Sequence, residues 1–531
     1  MASVFNAASY FIDRHLAEGR ADRIAVECGD ERLTYGALAA RIDRLGHALR
    51  HRLTIRRGER IVLVMLDGPD FICSFFAAIK IGAIPIPTNT LWKPAEYAYV
   101  LDDSRAVAVI VSEPLAAPIL AMRRERAAHL RSIVVSGGRA PSETQSFDEL
   151  IAGGAPNLEP EPTDQHDPAF WLYSSGSTGL PKGCIHLQDH MMVCADRYAR
   201  GVLGITADDR AFSVAKLFFA YGLGNAMYFP FAVGATAILW PGPPTAANVY
   251  AVIERHRPTL IFSVPTSYAM LLALHRDGQD FDLSSVRHAV SAGESLPAAL
   301  FHRFEERFGI QILDGIGSTE ALHIFISNRP GAIRPGSSGR VVPGYETKVV
   351  DDDGHAVAPG QIGNLFVKGA SLCAGYWNQS ARTRSVMDGN WMRTGDKYSQ
   401  DDEGFYWYAG RTDDMLKAGG IWVSPVEIEN ALVEHDAVLE CAVIGREDRD
   451  GLMKPAAYVV LAHGVAASDT LANELIEWVR QRLPDYKRPR RVEFIDALPK
   501  TATGKIQRFK LREDPKDTEG TEDTKRSSAD L

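Results

Sequence analysis

The chain has 531 residues, 46% hydrophobic and 24% charged, with 58 Lys and Arg against 67 Asp and Glu for a net charge of −9. This balance excludes a mostly disordered or collagen-like chain, and without a long Lys/Arg block a nucleic-acid partner has no electrostatic footprint. The length exceeds the ~250–300 residues at which a single core stops growing, so more than one domain is expected.

The N-terminal stretch MASVFNAASYFIDRHLAEGR lacks an uninterrupted apolar segment after a basic start, and no run of about 18 apolar residues follows, so neither secretion nor membrane spanning is expected. From Arg60 onward short apolar runs alternate with helical stretches: Ile61–Leu66, a helix through Phe71–Lys80, Val107–Ser112 and later Thr259–Val264. This is the texture of β-α-β units around largely parallel, doubly covered sheets, and an α/β body is expected. The six cysteines, Cys28, Cys73, Cys184, Cys194, Cys373 and Cys441, contain no C-x-x-C pair, which suggests no disulfide framework or zinc knuckle and fits a reducing, cytoplasmic compartment.

In FWLYSSGSTGLPKG (Phe170–Gly183) an apolar strand runs into a loop carrying Ser174, Ser175, Gly176, Ser177, Thr178, Gly179 and Lys182. Glycines let backbone N–H groups close around an anion, hydroxyls add donors, and a lysine supplies a point charge for phosphate oxygens. Such loops are also common flexible connectors, so composition alone leaves both readings open. The P-loop pattern G-x-x-x-x-G-K-[ST] is missing, because the Gly504–Lys505 pair is followed by Ile506. His186 and His190, four apart on an expected helix, read either as a metal pair or as structural, with no third ligand evident nearby; Cys184 reads as a packing residue.

Near Val341 the sequence becomes strand-rich and glycine-punctuated, which predicts a subsidiary β element packed on the α/β body. After Tyr408–Lys417 the pattern restarts in miniature: a helix at Val426–Glu434, strands near Leu439–Ile444 and Ala456–Leu461, a helix at Leu471–Arg482 and a strand near Val492–Ile495. The expected organisation is a large domain over residues 1–412, built from two α/β subdomains with the β-rich element, and a small mobile α+β domain over 413–513. The polar tail, 514–531, has too few apolar residues to offset ordering and is expected to be disordered.

YSSGSTGLPKG resembles the signature loop of the adenylate-forming superfamily of acyl- and aryl-CoA ligases, luciferases and peptide-synthetase adenylation domains. Five further motifs follow in the family's order: SAGESLP (Ser291–Pro297), DGIGSTE (Asp314–Glu320), TGD (Thr394–Asp396), YAGRTDDMLK (Tyr408–Lys417) and PKTATGKIQR (Pro499–Arg508). The resemblance implies that Thr178 and its loop hold the β- and γ-phosphates of ATP, that Glu320 coordinates Mg²⁺ and that Thr319 contacts the α-phosphate. Ala292, Gly293 and Glu294, with Asp314, Gly315 and Ile316, would enclose adenine; Asp396 would accept from both ribose hydroxyls and Arg411 would sit near ribose and phosphate.

By the same resemblance Lys505 is the mobile lysine that reaches the carboxylate and the α-phosphate, opposing the negative charge that builds when one anion attacks another. Asp413 is the implied hinge about which the small domain swings, after which Gly419 and Gly420 would let the pantetheine arm of coenzyme A pass close to backbone. No base is needed for adenylation, since a carboxylic acid is ionised at neutral pH.

KLFFAYGLGNA (Lys216–Ala226) with ALHIFISN (Ala321–Asn328) resembles the benzoate and hydroxybenzoate branch, and implies a flat aromatic pocket walled by Phe219, Ala220, Tyr221, Ile316, Gly317, His323 and Ile324. Departures from that branch at Ser263, Val264, Ala321 and Ala418–Gly419 leave the ring substituents open, and His323 is either a wall residue or a partner for a substituent. The expected activity is an aryl-CoA ligase acting on an aromatic carboxylic acid, ATP and CoA, with a homodimer as one expected assembly. Loading of an aryl acid onto a carrier protein, and a nucleotide-binding regulator without turnover, are the alternatives.

Overall fold

The computed structural model describes residues 4–122, 128–176, 179–274, 281–412, 414–418, 421–447, 453–500 and 506–512. Asp413 and residues 513–531 lie outside this set, and with them the expected hinge and tail. Among the described residues no helix is long and apolar enough to cross a membrane.

Two sheets form the α/β body. In the first, five parallel strands run in the order Ile84–Pro87, Arg60–Val64, Ala108–Ser112, Ser132–Ser136 and Gln145–Ser146. The helix Pro69–Lys80 between its first strands is buried along almost its whole surface, which is why FICSFFAAIK is apolar on every face; its one ammonium, Lys80, is buried against Asp13 and Asp43. The second sheet has nine strands with a parallel centre, where Thr236–Leu239, Arg210–Ser213, Leu260–Ser263, His288–Ser291 and Ile312–Gly317 lie side by side. These strands are short, branched and buried on both faces, as crossover-connected strands must be.

The glycine-punctuated region folds as an antiparallel sheet of Glu346–Val350, Gly363–Lys368 and Trp391–Gln400, with Met387–Asp388 and Tyr406–Arg411. Its inward residues Val349, Leu365, Val367, Met392 and Tyr398 join the main hydrophobic core, so it is packed on the α/β body. The small lobe has a core of its own, made by Val423, Ile428, Leu432, Val443, Val459, Leu475 and Val479. Its sheet is Val438–Glu447, Met453–Leu461 and Arg491–Phe494, covered by the helices Pro425–Val433 and Asp469–Arg480. Ser424 caps the first of these, its hydroxyl accepting from Glu427 N–H, with Pro425 pre-set at the first helical position.

The histidine pair departs from expectation. The segment after the serine-rich turn is a second strand, Gly179–Leu187, paired antiparallel with Pro168–Gly176. His186 therefore lies on a strand, and only His190 begins a helix, His190–Cys194. The segment pairs along its length with the preceding strand, from Gly179 opposite Gly176 to Leu187 opposite Pro168, and this pairing overrides the four-residue histidine spacing.

Candidate active site

A cavity of about 730 Å³ opens between the lobes. From the large lobe it is lined by Ser174 and Lys182 of the hairpin, Gly293 and Glu294, the run from Gly315 to Glu320, Thr394 to Asp396, and Arg411. From the small lobe come Glu429, Asn430, Glu440, Lys500, Ile506 and Arg508. Motifs far apart in sequence converge because the parallel strands share register, Ser263 opposite Ser291 and Ser291 opposite Asp314, so their following loops emerge side by side. Ligands of open α/β sheets bind at this carboxyl end of the strands.

At one end of the cavity Lys182 Nζ lies 2.8 Å from Glu320 Oε1 and donates to Tyr376 Oη at 2.7 Å; that hydroxyl donates to the same Glu320 oxygen at 2.8 Å. Burial alone would push the Glu320 carboxyl up, but the charge and hydrogen bond of Lys182, with Tyr376, reverse this and bring it down to about 2. The pair's stabilisation is thus present throughout the pH range above the ordinary carboxylate value and is lost only as pH falls through about 2. An ionised carboxylate on a cleft wall suits Mg²⁺, which takes one or two protein carboxylates and completes its shell with water and substrate phosphate. Glu320 fits that requirement.

The turn carrying Glu320 is tied down on every side. Thr319 O accepts from Leu322 N–H at 3.1 Å, Glu320 O from Cys373 N–H at 2.7 Å, and Ala321 O from Ser371 Oγ at 2.7 Å. Leu322 has a φ of +67°, a left-handed backbone that a leucine adopts only under constraint.

The sugar-binding candidates meet through sheet register. Asp396 on Trp391–Gln400 lies directly opposite Arg411 on Tyr406–Arg411, and Arg411 Nη1 donates to Asp396 Oδ1 at 3.1 Å. Gly395 has a φ of +79°, and a Cβ there would stand 3.0 Å from Arg411 Nη2, so glycine lets the guanidinium fold back over the turn. In the adenine region Gly293, Glu294, Gly315 and Ile316 lie on the cavity wall, as does Thr319, the expected α-phosphate contact, whereas Ala292 and Asp314 are buried outside its lining. Burial pushes the Asp314 carboxyl well above its usual value.

The aromatic set assembles behind Ile316 and Gly317. Phe219 caps the helix Ala220–Leu223; Tyr221 Oη donates to the carbonyls of Ser263 and Val290, each at 3.2 Å. The His323 ring packs 4.4 Å from Phe229, 5.5 Å from Tyr198 and 5.6 Å from Tyr221, with Nε2 at 3.0 Å from Asn225 Oδ1. Ile324 is buried beside it. Of the seven expected wall residues only Ile316 and Gly317 also line the large cavity; of the others, Ala220, His323 and Ile324 are buried and Phe219 and Tyr221 are half-buried.

Burial holds His323 down to about 3, so the ring is neutral at physiological pH. A histidine depressed in the folded state contributes stability above its ordinary value near 6.5 and loses it as pH falls toward about 3. Urea unfolding should therefore show the stability gap between the wild type and His323→Phe shifting against the wild type by about 2 kcal/mol between pH 6.5 and pH 5. A gap independent of pH would contradict a buried neutral ring.

Ser177, Thr178, Asp413, Gly419, Gly420 and Lys505 lie outside the described residues. Ser175, Gly176 and Gly179 belong to the hairpin, with Gly176 opposite Gly179. Lys500 and Ile506, which flank the Lys505 segment, pair with each other and both line the cavity. Lys500 Nζ bonds Glu440, and Arg508 makes a bidentate pair with Glu429 at 2.7 and 2.8 Å. Tyr376, Arg382 and Ser385 also line the cavity; sequence reasoning passed over Tyr376 because GYWNQS carries no charge pattern to mark it, and over Arg382 and Ser385, which follow on the helix Ser380–Val386. The only group of three potential metal ligands among the described residues is the exposed Asp351, Asp353 and His355, so no third ligand joins His186 and His190. Cys184 is buried, and burial pushes its thiol well above the ordinary value, as a packing residue requires.

Residues 13–377 match the AMP-binding enzyme family and residues 427–505 the AMP-binding enzyme C-terminal domain. The chain is 47% identical over 509 residues to a benzoate–CoA ligase of Thauera aromatica, covering 96% of each chain. Among solved structures it resembles a benzoate CoA ligase from Burkholderia xenovorans, with a TM-score of 0.89 and 46% identity over 96% of this chain and 100% of that one. It also resembles an anthranilate CoA ligase solved in complex with anthranoyl-AMP, with a TM-score of 0.92 and 44% identity over 96% and 97%.

Proposed function

This chain belongs to the AMP-binding enzyme family, and from that membership we propose that it is an acid–thiol ligase converting benzoate or a substituted benzoate, ATP and CoA to the aryl-CoA thioester, AMP and diphosphate. The observation that carries the reading is one cavity walled by both lobes, with Lys182, Glu320, Asp396 and Arg411 on one side and the flanks of the Lys505 segment on the other. Its aromatic block, Phe219 to Tyr221 with His323 and Ile324, supports an aryl acid over a long alkyl chain. No carboxylate is among the block's hydrogen-bonding or ring contacts to pair with an α-ammonium, which argues against an amino acid. A carrier protein as acceptor is not favoured, since the likenesses above are to CoA ligases.

In the proposed reaction Lys182 and the serine-threonine turn with Thr178 hold the β- and γ-phosphates, Thr319 the α-phosphate, Asp396 and Arg411 the ribose, and Gly293, Gly315 and Ile316 the adenine. Mg²⁺, when bound, supplies charge neutralisation at the phosphates. Glu320 is placed to hold it. The acid's carboxylate attacks the α-phosphorus, the diphosphate leaves, and the ammonium of Lys505 opposes the negative charge that develops there. Rotation of the small lobe about Asp413 then brings Gly419 and Gly420 to the cavity for attack by the CoA thiolate, releasing AMP.

Diphosphate release with a panel of benzoates, long-chain fatty acids and amino acids, each with and without CoA, tests the whole reading. Benzoates should give acid-dependent release and a CoA thioester. Release without a thioester would point to another acceptor, and no release with any acid would end the proposal.

A further inference from the structure

His186 Nε2 lies 2.9 Å from the carbonyl oxygen of Thr319, and His186 Nδ1 lies 3.2 Å from His190 Nδ1. Both rings are buried, at 0% and 2% exposure, and His186 stacks on Phe170 with centroids 5.1 Å apart. A carbonyl only accepts, so His186 Nε2 carries its proton. Burial holds His186 down to about 4, leaving the ring neutral and Nδ1 a lone pair. The proton in the second contact then belongs to His190 Nδ1, and both tautomers are fixed: His190 donates to His186, and His186 donates to Thr319.

The recipient is the turn that carries Glu320, strained at Leu322. Thr319 O thus accepts twice, from within the turn and from the hairpin strand that bears Lys182. We propose that His186 is a positioning residue for the magnesium and phosphate site, its Nε2–H tying the turn of Thr319 and Glu320 to the phosphate hairpin so that Glu320 and Lys182 are held at a fixed separation. The inference rests on the reading of Glu320 as the Mg²⁺ ligand; His186 touches neither substrate nor metal. It also gives the histidine pair a role in place of metal binding.

Two variants separate this role from simple packing. A glutamine at 186 has both an N–H donor for Thr319 O and an oxygen to accept from His190, whereas a phenylalanine keeps the stack on Phe170 and loses both bonds. Calorimetry on the full chain should show His186→Phe binding MgATP on the order of tenfold more weakly, with ATP in excess chelator little changed. His186→Gln should stay within about threefold of wild type, and thiolysis of supplied benzoyl-adenylate should be unaffected in both. Nitrogen-15 NMR of the ligand-free wild type should show His186 Nδ1 unprotonated and Nε2 protonated. Equal MgATP affinity in His186→Phe and wild type, equal losses with and without Mg²⁺, or a proton on His186 Nδ1 would each overturn the inference. If the phenylalanine variant does not fold, a glutamine variant that weakens MgATP binding as much as tenfold does so equally. Failure of the functional reading looks different: wild type binds MgATP but forms no adenylate with any aromatic acid.

Discussion

Lys505→Ala should lower benzoate-dependent diphosphate release by about 100- to 1,000-fold, the usual cost of removing one donor aimed at developing charge, while thioester formation from supplied benzoyl-adenylate and CoA stays near the wild-type rate. The asymmetry follows from the proposed alternation, in which the lysine serves the first half-reaction and the glycines at 419 and 420 serve the second. Its flanking residues Lys500 and Ile506 line the same cavity as Lys182 and Glu320, which is what the proposed adenylation step uses. Rapid-quench measurement of the two half-reactions checks the split, and equal loss in both would contradict a swinging lobe.

Glu320→Gln should reduce adenylation by a similar factor, about 100-fold or more, through loss of the carboxylate charge. A glutamine oxygen still accepts from Lys182 and Tyr376, so folding stability should fall by only about 1–2 kcal/mol. Glu320→Ala removes the acceptor as well and strands the buried ammonium of Lys182, for which a loss of about 3–5 kcal/mol is expected. Urea unfolding of both variants reads the difference. An alanine variant as stable as wild type would show that the Lys182–Glu320 pair is well solvated, contrary to its exposures of 13% and 14%.

The chain order of motifs was legible through resemblance to the adenylate-forming family, and the residue types suit the roles it implies: lysine and hydroxyls for phosphate, a carboxylate for ribose and for metal. The approach of Asp396 to Arg411 was implied by those roles and is built by strand register. Three features were not legible. The partner of His186 is a backbone carbonyl, which any residue type supplies, so the pair could be seen but not its purpose. Tyr376 works through a three-way contact among residues from three segments, and nothing in its neighbourhood marks it. Asp314 and Ala292 sit within the adenine motifs but are buried outside the cavity lining, and nothing in those motifs marks which of their residues face the cavity. The helix expected after the serine-rich turn is replaced by a strand: a four-residue spacing of histidines suggests a helix, but antiparallel pairing with Pro168–Gly176 carries the chain in extended form to Leu187.

The mutual contact of Lys182 and Glu320 on the cleft wall also bears on the proposed exchange of partners there. A bare divalent cation arriving at the glutamate would orphan the ammonium, and free phosphate arriving at the ammonium would orphan the glutamate; either leaves a buried charge unmatched. Under the proposed roles only a metal–nucleotide complex exchanges both partners in a single event.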